Sequence, residues 1–287
     1  MKKLALIMAI IVVVVYACQK ENLTDLALSK TTATTPVNVY LTDGPLRLDT
    51  VNLDVKYVEA KVDTNKAHKD DDHFGDNDKD SLNDGKKKDD YGYWDTLAVT
   101  PGVYNIAALR NGVDQSIATG SLPGTIRKIR LTLGTKNTVV QGGVTYPLVI
   151  NSNYIYASFN KEHKQKDSTA ANTTALKIEV DLFRSVTLIN GVYYFKPFVK
   201  PFSDSAFASV YGMVLPADIK PFVMVYNTTD TSYGMAERGG FYKVRGIKPG
   251  TYNIKFTATG GYKDTILTNL QLQAGIVTKI PNLTLRK

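Results

Sequence analysis

Lys128-Ile129-Arg130-Leu131-Thr132-Leu133 decides the fold class. Polar and apolar residues alternate without a break, so an extended chain turns Ile129, Leu131 and Leu133 to one side and Lys128, Arg130 and Thr132 to the other. One buried face and one wetted face give that pattern. Upstream, the same period runs through Val37, Val39 and Leu41 and again through Val51, Leu53, Val55 and Tyr57. Downstream, Ile178, Val180 and Leu182 alternate with Lys177, Glu179 and Asp181. Turn signals separate the runs: Asp43-Gly44-Pro45, Pro101-Gly102, Asn111-Gly112, Pro123-Gly124, Gly142-Gly143 and Asn190-Gly191. Many short strands between such turns build an antiparallel sandwich. No long amphipathic helix interrupts them, only a short helical turn over Ile106 to Arg110.

The alternation restarts after Asp204-Ser205 with Val210-Tyr211-Gly212-Met213-Val214. It continues through Phe222 to Tyr226, Phe241 to Val244, Tyr252 to Phe256, Thr265 to Leu267 and Ile276 to Ile280. Roughly seven strands in that length form a small second sandwich. The expected fold is therefore all-β, with two consecutive antiparallel β-sandwich domains at residues 36–203 and 204–287.

The first residues have a different character. Lys2 and Lys3 precede an apolar run from Leu4 to Val15, and small Ala17 stands just before Cys18, the only cysteine. The run is shorter than the roughly 20 apolar residues a spanning helix needs. A lone exported thiol would also have no disulfide partner. Residues 1–17 resemble a bacterial lipoprotein signal peptide with a lipobox. The resemblance implies cleavage before Cys18, lipid on its thiol and new amino group, and attachment to a membrane through that lipid. Gln19 is not the aspartate that retains inner-membrane lipoproteins, and Lys20-Glu21 is similar to part of the surface-export signal of Bacteroidota lipoproteins. The expected address is the outer membrane, with exposure at the cell surface. Residues 18–35 are polar and threonine-rich, without periodicity, and read as the lipidated tether.

The formal net charge is +8. Lys2 and Lys3 leave with the signal, and the remaining lysines are scattered along strands rather than gathered on one face. Nucleic acid is therefore not an expected partner.

Two modules carry family resemblances. Leu41-Thr42-Asp43-Gly44-Pro45 after a strand is similar to the Leu-Thr-Asp-Ala-Pro hallmark of a lipoprotein domain family of unassigned function, with Gly44 in place of the alanine. The resemblance extends through Val51 to Val55, Leu109 to Gly112, Leu122-Pro123-Gly124, Val144 to Leu148 and Tyr194 to Pro197, and brings no known activity. Asp43 in that position is expected to hydrogen-bond the backbone ahead of it while Gly44-Pro45 redirects the chain. Gly239-Gly240-Phe241-Tyr242 followed by Gly246-Ile247-Lys248-Pro249-Gly250-Thr251-Tyr252 resembles carboxypeptidase regulatory-like and Cna-B-like domains, which implies a transthyretin-like second sandwich. Pro-Gly-x-Tyr-Asn-Ile occurs at both Pro101 and Pro249 and reads as one turn solution used twice.

Two stretches offer site chemistry. In the acidic insertion 63–92, Asp76, Asp78, Asp80, the Leu82 carbonyl and Asp84 fall at positions 1, 3, 5, 7 and 9 of a calcium loop. Ser81 replaces the turn glycine and Lys87 the final acid. His68 and His73 with Asp70 to Asp72 would instead suit a transition ion, and a solvated loop is the third alternative. Calcium is the one cofactor expected as a candidate. Aromatic residues supply the other stretch: Tyr91, Tyr93 and Trp94 beside the insertion, with Tyr154 and Tyr156, could stack on a sugar or belong to the core. A coplanar, solvent-facing pair of rings would favour the sugar.

The inventory for catalysis is poor. Cys18 is consumed by lipid, His68, His73 and His163 lie in polar stretches, and no nucleophile elbow, phosphate loop or zinc-helix spacing occurs. The expectation is a non-catalytic outer-membrane lipoprotein acting as a structural or adhesive module toward a protein partner. The alternative is a glycan-binding lipoprotein, calcium-dependent if the insertion is a metal loop.

Overall fold

The computed structural model describes residues 34–44, 47–63, 92–159, 174–237 and 239–287. Cys18, tether residues 19–33 and the acidic ligands Asp76, Asp78, Asp80, Leu82 and Asp84 lie outside the described residues, as do Tyr91 and the three histidines, while Thr35, read as the end of the tether, opens the first strand. Thr34–Lys287 forms one compact unit, and it is predominantly β.

Its strands in chain order are β1 (Thr35–Asp43), β2 (Thr50–Asp63), β3 (Tyr93–Thr96), β4 (Ala98–Val99), β5 (Gly102–Asn105), β6 (Gln115–Leu122), β7 (Thr125–Leu133), β8 (Thr138–Gln141), β9 (Val144–Ile150), β10 (Tyr154–Ser158), β11 (Thr174–Val180), β12 (Val186–Ile189), β13 (Val192–Phe195) and β14 (Val199–Phe202). A 3₁₀ segment, Ile106–Gly112, follows β5, and a one-turn helix, α1 (Leu182–Ser185), follows β11. The later strands are β15 (Ala208–Leu215), β16 (Phe222–Tyr226), β17 (Thr231–Met235), β18 (Phe241–Ile247), β19 (Gly250–Thr257), β20 (Thr265–Leu272), β21 (Val277–Lys279) and β22 (Leu283–Thr284).

Up to β14 the strands form two sheets. One has the order β14-β11-β1-β6-β4, and the other runs β10-β7-β2-β8-β9-β13-β12 with β3 and β5 added to β2. Val39, Leu41, Leu176 and Ile178 of the first sheet meet Leu53, Val58, Ile129 and Leu131 of the second in one apolar core. From β15 onward two four-stranded sheets close on a separate core containing Val210, Val225, Tyr242, Tyr252 and Phe256. Most ladders are antiparallel, with parallel pairs at β1–β11, β9–β13, β15–β21 and β15–β22.

Turn chemistry explains the hairpins. Asn190 and Gly191 both take positive φ, as do Gly142 and Gly143, which is what a two-residue turn matched to strand twist requires. The repeated Pro-Gly-x-Tyr-Asn-Ile string does not give two equal turns. Gly250 has φ +153° and Tyr252 is buried, whereas Tyr104 stays partly exposed and donates its hydroxyl to the Thr100 carbonyl.

Three expectations need correction. Tyr57 does not share the buried face of Val51, Leu53 and Val55, because the β2–β7 register shifts between Val55 and Tyr57. A bulge reverses the alternation. Val58, Ala60 and Val62 then point inward and Tyr57 is 58% exposed. Second, Lys177, Glu179 and Asp181 are not wetted: all are buried. The outer face of β11 is covered by the second sandwich, and Leu182 opens α1 rather than extending the strand. Third, neither carboxylate oxygen of Asp43 has a well-formed hydrogen bond among the described residues, although the Leu182 amide acts on it. Backbone holds the turn instead, the Gly44 N–H donating to the Val180 carbonyl at 3.2 Å.

Candidate functional site

The bulge in β2 builds the most exposed aromatic cluster. Beyond it, Tyr57, Glu59 and Lys61 share the outer side of β2, with Tyr57 exposed and Lys61 buried. Across the ladders, Thr132 lies between Tyr57 and Tyr154, Arg130 lies between Glu59 and Tyr156, and Lys61 lies opposite Trp94. Cross-strand neighbours share a face. Three rings, Trp94, Tyr154 and Tyr156, therefore gather at one guanidinium on the outer side of β3, β2, β7 and β10, with Tyr57 on the same side opposite Thr132.

Arg130 is the hub. Its Nε and Nη2 donate to the two Glu59 carboxylate oxygens, each at 2.7 Å. The guanidinium lies 4.4 Å from the Trp94 ring centre and 5.3 Å from that of Tyr154. The bidentate bond to Glu59 raises the pKa of Arg130, so its charge is fixed at every accessible pH. Trp94 and Tyr156 are 6.4 Å apart and inclined by 57°, and Tyr154 and Tyr156 are 6.1 Å apart and inclined by 42°. No pair is coplanar. Lys61 lies over the other part of Trp94 at 5.9 Å, and Arg127 Nε donates to Asp63 at 3.2 Å.

Of the aromatic residues singled out in the sequence, the structure brings Trp94, Tyr154 and Tyr156 together. Tyr93 sits opposite Val62, so it belongs to the other side of β3. Sequence reasoning missed Tyr57, Glu59, Lys61 and Arg130. A signal was present: apolar residues occupy 51, 53 and 55 and then 58, 60 and 62, a phase change that betrays the bulge.

A second polar cluster lies where the five-stranded sheet meets the later strands. Lys177 pairs with Asp114 at 2.8 Å and with Asp204, while Arg245 pairs with Asp114 at 2.6 Å and donates to the Thr42 hydroxyl. Lys200 reaches Asp230 at 3.2 Å and the Ser232 hydroxyl at 2.6 Å. Asn111 accepts from the Lys243 N–H at 3.0 Å and donates to the Met235 carbonyl at 3.2 Å. Glu179, opposite Thr42 in the ladder, is buried beneath this network. Burial, with the Asp181 charge nearby, pushes its pKa up to about 7 against the pull of Lys200, Arg245 and Arg184. Asp43 is raised well above the carboxylate range, chiefly by burial and then by Glu179 and Asp181, although Arg110 and the Leu182 amide draw it down. The ion pairs cross a seam in which Glu179 and Asp43 lie buried. Among the described residues no group of three or more His, Cys, Asp or Glu side chains is arranged to hold a metal ion.

The family described as "Domain of unknown function (DUF4382)" matches residues 34–197. The chain belongs to that family. The aromatic cluster and the β11 half of the seam lie within the DUF4382 region, and Asp204, Asp230 and Arg245 lie beyond it. No curated protein matches the chain. Among solved structures, a cohesin–X-dockerin complex from Acetivibrio cellulolyticus is similar at 16% identity over 27% of this chain and 56% of that chain, with a TM-score of 0.24. The Bacillus anthracis TIE protein is similar at 12% identity over 88% of this chain and 34% of that chain, with a TM-score of 0.22. GBS52, the minor pilin of Streptococcus agalactiae, is similar at 8% identity over 87% of this chain and 96% of that chain, with a TM-score of 0.21. The chain thus spans little more than half of the first of these and about a third of the second. None of the three assigns a function to the DUF4382 region.

Proposed function

We propose that this chain is a non-catalytic surface lipoprotein, anchored through Cys18, that binds a protein partner with the outer face of β3, β2, β7 and β10. One observation carries the reading: Trp94 and Tyr154 stack against Arg130, Tyr156 lies beside both rings, and exposed Tyr57 shares the same face. Trp, Tyr and Arg are the side chains that dominate protein interfaces when clustered. Arg127, Lys128 and Arg130 outnumber Glu59 and Asp63 there, Lys61 being buried against Trp94, so an acidic partner surface fits it best. A glycan is the second reading, favoured by the exposure of the rings. Against it, Arg130 occupies one face of Trp94, and the inclined pairs give no flat platform for a sugar. Any calcium dependence would come from Asp76, Asp78, Asp80, Leu82 and Asp84.

A photocrosslinking residue at Tyr57 on intact cells should form a discrete protein adduct, and Trp94→Ala with Tyr156→Ala should abolish it. Each truncation at a hot spot costs about 2 kcal/mol, or roughly thirtyfold in affinity. A glycan array probed with and without calcium should stay blank. Array signal that the double variant loses would replace the protein with a glycan, and an unchanged adduct would remove this face from function.

The anchor is tested separately. Cys18→Ser should lose lipid labelling and leave the membrane fraction, because Cys18 is the single site that carries all of the lipid. Labelling that persists in the variant would end the lipoprotein reading.

A further inference from the structure

We infer that the cavity between β11 and β18 is a binding site for a single carboxylate, held by Lys243 beside Lys177 and Arg245. It shares no residue with the outer face of β3, β2, β7 and β10, and it stands or falls independently of the reading given to that face. The cavity holds about 220 Å³. Drug-sized ligands need roughly 300 Å³ or more, so the space suits one functional group. Its walls come from distant parts of the chain: Asp114 ahead of β6, Lys177 on β11, Asp204 after β14, Ser209 on β15, and Lys243 and Arg245 on β18.

β18 is shaped to supply two of the cations. Tyr242 and Val244 belong to the second core, which leaves Lys243 and Arg245 on the other side of the strand. The β15–β18 register shifts between Ala208 and Val210, so Arg245 and Gly246 together face Ser209. Gly246 takes φ +62° there. A bulge of this kind re-aims a side chain. Lys243 is positioned from the first sandwich: its N–H donates to the Asn111 side chain at 3.0 Å. Its stem packs against Gly112 so closely that a Cβ on that glycine would come within 2.9 Å of Lys243 Cδ.

Charge decides the ligand. Lys177 is shared between Asp114 and Asp204, and both Nη atoms of Arg245 donate to Asp114. Two carboxylates thus serve two buried cations. Lys243 has no ion-pair partner among the described residues. Burial, with Arg245 and Lys177 beside it, lowers its pKa although Asp204 and Asp114 pull it up. A half-buried ammonium next to two other cations is unfavourable until an anion joins it. The lining carries one positive charge in excess, so a monoanion neutralises it. A carboxylate brings two acceptor oxygens for the donors that remain, the Lys243 ammonium and the Ser209 hydroxyl.

Chemical footprinting of the full-length parent chain tests the site. Lysines are acylated at pH 7 with an N-hydroxysuccinimide ester and read one by one by mass spectrometry. Exchanging sodium chloride for sodium acetate at constant ionic strength should slow Lys243 several-fold and saturably, and leave exposed Lys279 unchanged. Acetate should also raise Tm more than chloride does. Lys243→Met should lose that excess while unfolding in chloride at the parent's temperature or above, since no ion pair leaves with the charge. If that variant fails to fold, the footprint on the parent decides alone. N-acetylalanine protecting Lys243 better than acetate would assign the carboxylate to a peptide C-terminus, and acetate protecting at least as well would assign it to a small free acid. N-acetylalaninamide should not protect. Absent protection, equal protection of Lys279, stronger protection by sulfate than by acetate, or an acetate response retained in Lys243→Met would overturn the inference.

Discussion

Stability against urea should fall, not rise, as the pH climbs from about 4.5 to 7. Glu179 is the cause. Its pKa stands near 7 in the folded chain against an ordinary 4.5, chiefly because burial disfavours the charged form. Between those values the folded chain holds a proton that the unfolded chain has released, so folding becomes less favourable with every step upward. The shift corresponds to about 3 kcal/mol, fully lost above pH 7. Asp43, raised in the same direction by the same cause, adds to it. Asp54, Asp114 and Asp264 have lowered pKa values and act in the opposite sense, but only as the pH drops below the ordinary range of aspartate. Maximal stability is therefore expected near pH 4 to 5. Glu179→Gln keeps the shape of the protonated acid and should flatten the slope, matching the parent near pH 4.5 and exceeding it by about 3 kcal/mol above pH 7. A parallel pH profile in parent and variant would show that Glu179 ionises freely in the folded chain.

Gly240→Ala should be the most damaging methyl in the second sandwich. Gly240 has φ +79°, and a Cβ there would overlap the Val214 carbonyl oxygen. Val214 also donates its N–H to the Gly240 carbonyl at 2.8 Å, so neither partner can move aside without breaking the start of the β15–β18 ladder. The left-handed conformation alone costs about 1–2 kcal/mol, and the backbone collision should bring the loss to about 3–5 kcal/mol. Gly239→Ala is the control. Its φ is +90° but nothing lies within 4 Å of the added carbon, so only the conformational cost applies. Equal losses in the two variants, measured by urea unfolding, would mean that the Val214 contact is not the cause.

The apolar period of two told where strands begin and which residues build the cores. Val37, Val39, Leu41, Ile129, Leu131 and Leu133 are all buried. Glycine-bearing turns at 142–143 and 190–191 were equally legible, because only certain residues accept positive φ. What failed was the assumption that every strand has one wet face. In Lys177-Ile178-Glu179-Val180-Asp181 the polar residues are as buried as the apolar ones, since the second sandwich covers them. Nothing local to that segment says so. Its partners Asp114, Asp204, Lys200 and Thr42 are drawn from four other places in the chain. The candidate binding face was half legible. Trp94, Tyr154 and Tyr156 were visible as aromatics, but Arg130 was read as an ordinary wetted strand residue, and its central place follows only from ladder register.

The parallel pairing of β1 with β11 sets a schedule for the chain. Val37 to Asp43 can complete their hydrogen bonds only with Thr174 to Val180, so the central strand of the five-stranded sheet waits for a segment 137 residues later. Such long-range pairing slows folding, because the loop must close before the contact repays it. On the export route proposed above, a chain threaded through a membrane N-terminus first would gain from that delay: the opening strand would stay out of a finished sandwich until Thr174 to Val180 had crossed.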